Sequence, residues 1–110
     1  MADDTEQSPL FDNQDRETFR DAIETWGIDA QADIAEEEAA EFIAASKHYA
    51  RGKIDADELV DELADIRIMQ EQLTKFIGRE RVERRVQEKM DRLREQLGQS
   101  TATGGDQSNE

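Results

Sequence analysis

Gly27, Gly52, Gly78 and Gly98 divide the middle of this chain into four segments that each show a helical pattern. Glycine commonly ends a helix because it adopts a left-handed backbone conformation without steric cost. None of the segments shows the strict alternation of apolar and polar residues that is typical of a half-buried strand. The sequence therefore predicts an all-α fold, with helices over about residues 15–26, 29–51, 56–77 and 79–97.

The third segment has the clearest helical signals. Asp55 is suited to the N-cap position, and Glu58, three residues on, completes a capping box. The short turn Gly52-Lys53-Ile54 joins this helix to the second one, which predicts an antiparallel hairpin with flanking helices that forms a helix bundle on oligomerisation. The apolar residues of the third helix are predicted to form one buried stripe: Leu59, Leu63, Ile66, Leu73 and Ile77.

One helical domain is predicted over residues 14–98. Residues 1–13 are polar and acidic and are predicted to form a flexible arm in which Leu10 and Phe11 dock locally. Residues 99–110 are rich in small polar residues and are predicted to be disordered. The first residues are unlike a signal peptide, and no apolar run is long enough to span a bilayer. We therefore expect a cytoplasmic protein, and the lack of cysteine excludes disulfides.

The charge is strongly acidic, with 28 Asp and Glu residues against 14 Lys and Arg residues and a formal net charge of −14. Such a charge disfavours binding to nucleic acid or to an anionic membrane. Acidic residues run throughout the chain, so we expect a halophilic source; a mesophilic protein with acidic tails is the alternative. Alanine supplies much of the 35% hydrophobic content. A thin core follows, and it predicts assembly into a dimer or tetramer.

Two pairs of carboxylates carry the chemistry that the sequence suggests. Glu38 and Glu41 lie three residues apart on the second helix, and Glu62 and Asp65 do so on the third. Residues with this spacing share one helix face, so a hairpin could direct all four at one point. Carboxylate oxygens suit a hard cation such as Mg²⁺. Two alternatives remain open, a solvated acidic face and ion pairing with Arg67 or Arg84.

The two motifs, in this order and separation, resemble those of the MazG-like all-α nucleoside triphosphate pyrophosphohydrolases. That family carries a Glu-Glu-x-x-Glu motif followed by a Glu-x-x-Asp motif, which Glu37-Glu38-x-x-Glu41 and Glu62-x-x-Asp65 match. The flanking sequence is also similar, and the resemblance covers residues 26–97. The similar flanks are Trp26-Gly27, Gln31, Arg51-Gly52, Lys89 and Arg92.

This resemblance implies a Mg²⁺-dependent enzyme, with Mn²⁺ as a substitute, that cleaves an NTP or dNTP into the monophosphate and pyrophosphate. It also implies a homo-oligomer. Either Glu37 or Glu38 would orient or deprotonate the attacking water. The implied metal ligands are Glu38, Glu41, Glu62 and Asp65.

Five further residues are candidates for substrate binding: Lys89, Arg92, Lys47, Gln31 and Trp26. For Lys89, a phosphate contact rests on the resemblance, while ion pairing along the last helix, such as Glu88–Arg92, explains these charges equally well. Lys47 also favours its helix C-terminus.

Gln31 is suited to a base edge or to the surface near a helix start, and Trp26 to base stacking or, preferably, to packing between the first two helices. The alternative to an enzyme is a non-catalytic acidic helical binding protein, either a DNA mimic or a regulatory partner, whose carboxylates would spread over the surface.

Overall fold

The computed structural model describes residues 10–99, which form four helices and no strand. The predicted all-α class is therefore confirmed for this part of the chain. The predicted tail beyond Gln99 and the first nine residues of the predicted arm lie outside the described residues. The helices are α1 (Asn13–Trp26), α2 (Ile28–Ala50), α3 (Ala56–Ile77) and α4 (Arg79–Gln96).

The chain divides into two compact units, Met1–Leu73 and Thr74–Glu110. The first contains α1, α2 and most of α3, and the second contains the end of α3 and α4. Within residues 10–99, no helix is both long and apolar enough to cross a membrane.

Aspartates fix two of the helix starts. The Asp15 backbone N–H donates to Asp12 Oδ1 over 2.8 Å, and the Asp12 N–H donates to Asp15 Oδ2 over 3.0 Å. This capping box starts α1 at Asn13, two residues earlier than predicted, because aspartate takes the place of the usual glutamate at its third position. At α3, the Glu58 N–H donates to Asp55 Oδ1 over 3.1 Å, which confirms Asp55 as the cap.

The backbone at the end of α2 shows why a glycine is needed at position 52. Gly52 has a φ of 73°, its N–H donates to the Tyr49 carbonyl, and the Lys53 N–H donates to the His48 carbonyl over 2.8 Å. These two bonds form a Schellman motif, which satisfies carbonyls that the helix end leaves unpaired. The chain then needs only residues 51–55 to reach α3.

The first unit is held by a small core. The Phe19 ring lies edge-on to Phe11, with ring centroids 5.2 Å apart, which confirms the predicted docking of Phe11 but not of Leu10, which is 64% exposed. The buried Gln72 side chain of α3 donates to the Phe19 carbonyl of α1 over 3.4 Å. Among the described residues, the buried apolar side chains are Phe19, Ala45 and Met69.

The buried side of α3 departs in part from the predicted stripe. Leu63 and Ile77 are exposed, whereas Met69 and Gln72 are buried. Glu62 is half-buried, so the side that α3 turns inward includes a carboxylate. Leu59, Ile66 and Leu73 are half-buried, so the departure from the predicted stripe is confined to Leu63 and Ile77.

Replacing Asp55 by alanine is expected to lower the free energy of unfolding by about 1 kcal/mol, because the Glu58 N–H loses its acceptor. Asp55→Asn is the matched control, since asparagine also caps well and removes the same charge. Urea unfolding of the three proteins measures the effect. Equal destabilisation by both substitutions would show that charge, and not the cap, is responsible.

Candidate metal centre

Three carboxylates from two helices converge in the first unit. Glu38 and Glu41 come from successive turns of α2, and Glu62 comes from α3. One oxygen of each lies within 4.8 Å of the other two. The helical spacing places Glu38 and Glu41 together, but only the tertiary fold brings Glu62 of α3 to them.

Two of these carboxylates each bury an oxygen that accepts no hydrogen bond. Glu38 Oε1 and Glu62 Oε1 are shielded from solvent and have no partner among the described residues. An unpaired buried acceptor is costly, and an ionised one more so. A bound cation would satisfy these oxygens, and so would a proton shared with the Glu41 carboxyl group, which, after burial, also raises the pKa of both Glu38 and Glu62.

Burial and neighbouring negative charges also raise the pKa values of Glu38 and Glu62. Burial raises the pKa of Glu38, and the charges of Asp65, Glu41 and Glu62 raise it further. Burial likewise raises the pKa of Glu62, followed by the charges of Glu41, Asp65 and Asp61. Asp61 was missed in the sequence because it lies outside both motifs, although its position next to Glu62 is a usable signal.

The predicted ion-pair alternative is not what the described part of the chain shows. Three of its ion pairs lie within α4, where Arg79 contacts Glu83 over 3.4 Å, Arg94 contacts Asp91 over 3.0 Å and Arg85 contacts Glu88. Neither Arg67 nor Arg84 takes part in these pairs. None of these three ion pairs includes a carboxylate of the trio. The negative charges of the trio therefore raise one another's pKa values, and no basic side chain of these pairs offsets them.

The donor set fits a hard divalent cation. Two ligand oxygens on opposite sides of one Mg²⁺ lie about 4.2 Å apart, because each Mg–O distance is about 2.1 Å. Oxygens within 4.8 Å of one another need only small side-chain movements to share an ion. Asp65 is exposed and lies outside this trio, but its charge acts on both Glu38 and Glu62. Its charge therefore lies near the trio, although its carboxylate does not converge with the other three.

The other predicted residues on α1 and α2 lie in different environments. Glu37 is exposed and does not join the trio. Gln31 is only 3% exposed and its Nε2 has no partner in the described structure, so the predicted surface position is wrong. Trp26 is 65% exposed, so packing between α1 and α2 does not account for its ring.

The basic candidates are all exposed. Lys47 lies near the end of α2, and Lys89 and Arg92 lie on α4 in the second unit. The predicted Glu88–Arg92 pair is replaced by Arg85–Glu88, one turn earlier along the helix. Phosphate binding by Lys47, Lys89 and Arg92 stays a prediction.

Comparison of the chain with protein-family models, curated proteins and solved structures gave no match in any of the three.

Proposed function

We propose that this protein is a Mg²⁺-dependent nucleoside triphosphate pyrophosphohydrolase. It would cleave an NTP or dNTP between the α- and β-phosphates to give the monophosphate and pyrophosphate. The observation that carries the proposal is the convergence of Glu38, Glu41 and Glu62, with two buried oxygens that accept no hydrogen bond. The order and separation of the two motifs, which resemble those of the MazG-like enzymes, support the same activity.

The proposed metal ligands are Glu38, Glu41 and Glu62, with Asp65 beside them. A triphosphate carries several negative charges, and this acidic cluster alone would repel it. Mg²⁺ bound there would neutralise the phosphates and polarise the scissile phosphoanhydride. The three converging side chains would also fix where the polyphosphate lies, because they reach one point from two helices.

Either Glu37 or Glu38 orients the attacking water and accepts its proton. Glu37 precedes Glu38 in the sequence and is exposed, so it can contact a water molecule that approaches from solvent. Glu38 has a raised pKa, which makes its carboxylate a stronger base when it is not holding metal. No side-chain nucleophile is required, since water attacks phosphorus directly.

The proposed architecture is an antiparallel α2–α3 hairpin within a dimer or tetramer. Glu41 precedes the end of α2 by nine residues, and Glu62 follows the start of α3 by six. These separations differ by three residues, about 4.5 Å along a helix axis, which two glutamate side chains can span in an antiparallel hairpin. The thin core of the first unit supports the assembly.

A pyrophosphate-release screen over ribo- and deoxyribonucleoside triphosphates tests the proposal. The reactions contain Mg²⁺, Mn²⁺ or EDTA, at low and at molar KCl. We expect release with either metal and none with EDTA, because the acidic cluster cannot accept the substrate alone. Lack of turnover for every nucleotide in both metals would favour the non-catalytic acidic binding protein instead.

A further inference from the structure

A basic, apolar groove runs along α4 in the second unit. Its walls are the apolar side chains of Ile77, Val82 and Val86, and its volume is about 370 Å³. Arg81, Arg85 and Lys89 line it at intervals of four residues, so they follow one flank of the helix. Arg85 also pairs with Glu88, while all three cations remain exposed.

The apolar floor of the groove continues to the end of the helix. Val86, Leu93 and Leu97 are 47%, 46% and 64% exposed. Together with Val82 and Met90 they are spaced by three or four residues, which places them on one face. At a rise of about 1.5 Å per residue, this face extends over roughly 20 Å. An exposed apolar stripe of this length on one helix is typical of a surface that another helix covers.

The shape of the groove excludes a small-molecule site. Small-molecule pockets enclose most of their ligand's surface, about 70–90% of it. The α4 groove cannot enclose a ligand to that extent, because it is open to solvent along the side that faces away from the helix. A helix laid along α4 brings its own apolar face and covers the whole stripe at once.

The charges decide which helix fits. α4 carries seven of the chain's 14 Lys and Arg residues but five of its 28 Asp and Glu residues, so its net charge is +2. The remainder holds seven basic and 23 acidic residues, a net charge of −16. Two α4 helices packed antiparallel would place each basic flank against the same flank of the other copy, which is repulsive. An acidic helix is the complementary partner.

We propose that the α4 groove is the surface through which this chain binds a second copy of itself, and that the groove receives an acidic amphipathic helix of that copy. The chain provides such helices in α1, α2 and α3, each of which has more acidic than basic residues. This inference names the surface behind the proposed oligomer and does not depend on the metal centre.

Charge reversal at the groove tests the inference. One variant combines Arg81→Glu, Arg85→Glu and Lys89→Glu. The matched control combines Arg20→Glu, Arg51→Glu and Lys53→Glu, three exposed positions outside the groove. Each reversal changes the charge by two, so both variants move from −14 to −20. Light scattering should give at least twice the 12.6 kDa chain mass for the wild type and the control, and 12.6 kDa for the groove variant.

A second groove variant, with alanine at the same three positions, protects the test against misfolding because alanine favours helix. It should associate more weakly than the wild type while keeping the same helical circular dichroism. A wild type of 12.6 kDa, a groove variant that stays assembled, or a control that dissociates equally would each overturn the inference. Melting with and without Mg²⁺ reports on the metal centre separately, since the groove residues are not among its carboxylates.

Discussion

Replacing Glu41 and Glu62 together by glutamine is expected to abolish both hydrolysis and the stabilisation by Mg²⁺. The substitution removes two of the three converging carboxylates while keeping their size. Loss of metal-assisted charge stabilisation is worth several kcal/mol, so pyrophosphate release should fall at least about 100-fold. In the wild type, Mg²⁺ at about 100 times its Kd should add about 2.7 kcal/mol to the free energy of unfolding. For a domain of this size that raises the Tm by on the order of 10 °C.

Thermal melts with millimolar MgCl₂ in a constant background of 1 M KCl measure this effect. The background reduces the Debye length to about 3 Å, so general screening is already complete before Mg²⁺ is added. Without Mg²⁺ the double variant should melt higher than the wild type, because the repulsion among the carboxylates is relieved. Glu17→Gln with Glu24→Gln is the control that removes the same charge from exposed positions on α1. If the Glu41/Glu62 variant gains as much from Mg²⁺ as this control does, the metal centre is refuted.

The contribution of Glu38 and Glu62 to metal-free stability is expected to decrease as pH rises above 4.5. The folded-state pKa values of Glu38 and Glu62 lie above the ordinary value of 4.5. Between that value and the raised values, the folded state binds more protons than the unfolded state, so the free energy of unfolding falls with increasing pH. The stabilising contribution of these two groups is complete below 4.5 and is lost once the pH passes their folded-state pKa values.

Urea unfolding in EDTA between pH 4.5 and 8, at fixed ionic strength, measures this dependence. Glu38→Gln with Glu62→Gln should flatten the curve, because neither side chain then titrates. The stabilisation by Mg²⁺ should show the opposite trend and grow with pH, since protons compete with the metal for the same oxygens. A wild-type curve that rises relative to the double variant as pH increases would contradict the raised pKa values.

Helix positions were largely predictable from local sequence. Gly27, Gly52 and Gly78 each separate two helices, and Asp55 caps α3 as predicted. Such features act within a few residues, through backbone conformation and single hydrogen bonds, so a sequence pattern captures them. The start of α1 was missed by two residues because Asp15 is a less usual capping-box partner.

Side-chain burial was less predictable than helix position. Leu63 and Ile77 are exposed although they fall on the apolar stripe, while Gln31 and Gln72 are buried although they are polar. Gln72 is accommodated because it donates to the Phe19 carbonyl of a helix far away in sequence. Hydrogen bonds of this kind depend on which helices are in contact, so the periodicity within one helix cannot predict them.

The sequence by itself determined the all-α class, the order of the helices and the two pairs of carboxylates, because these follow from spacing along single helices. Only the tertiary structure decided that Glu62 joins Glu38 and Glu41, that Asp65 remains exposed outside the trio, and that two oxygens are buried without a partner. Convergence and desolvation depend on the three-dimensional fold, which spacing along a single helix does not determine. The desolvation and the charge repulsion that make these carboxylates a candidate metal centre therefore exist only in the folded chain.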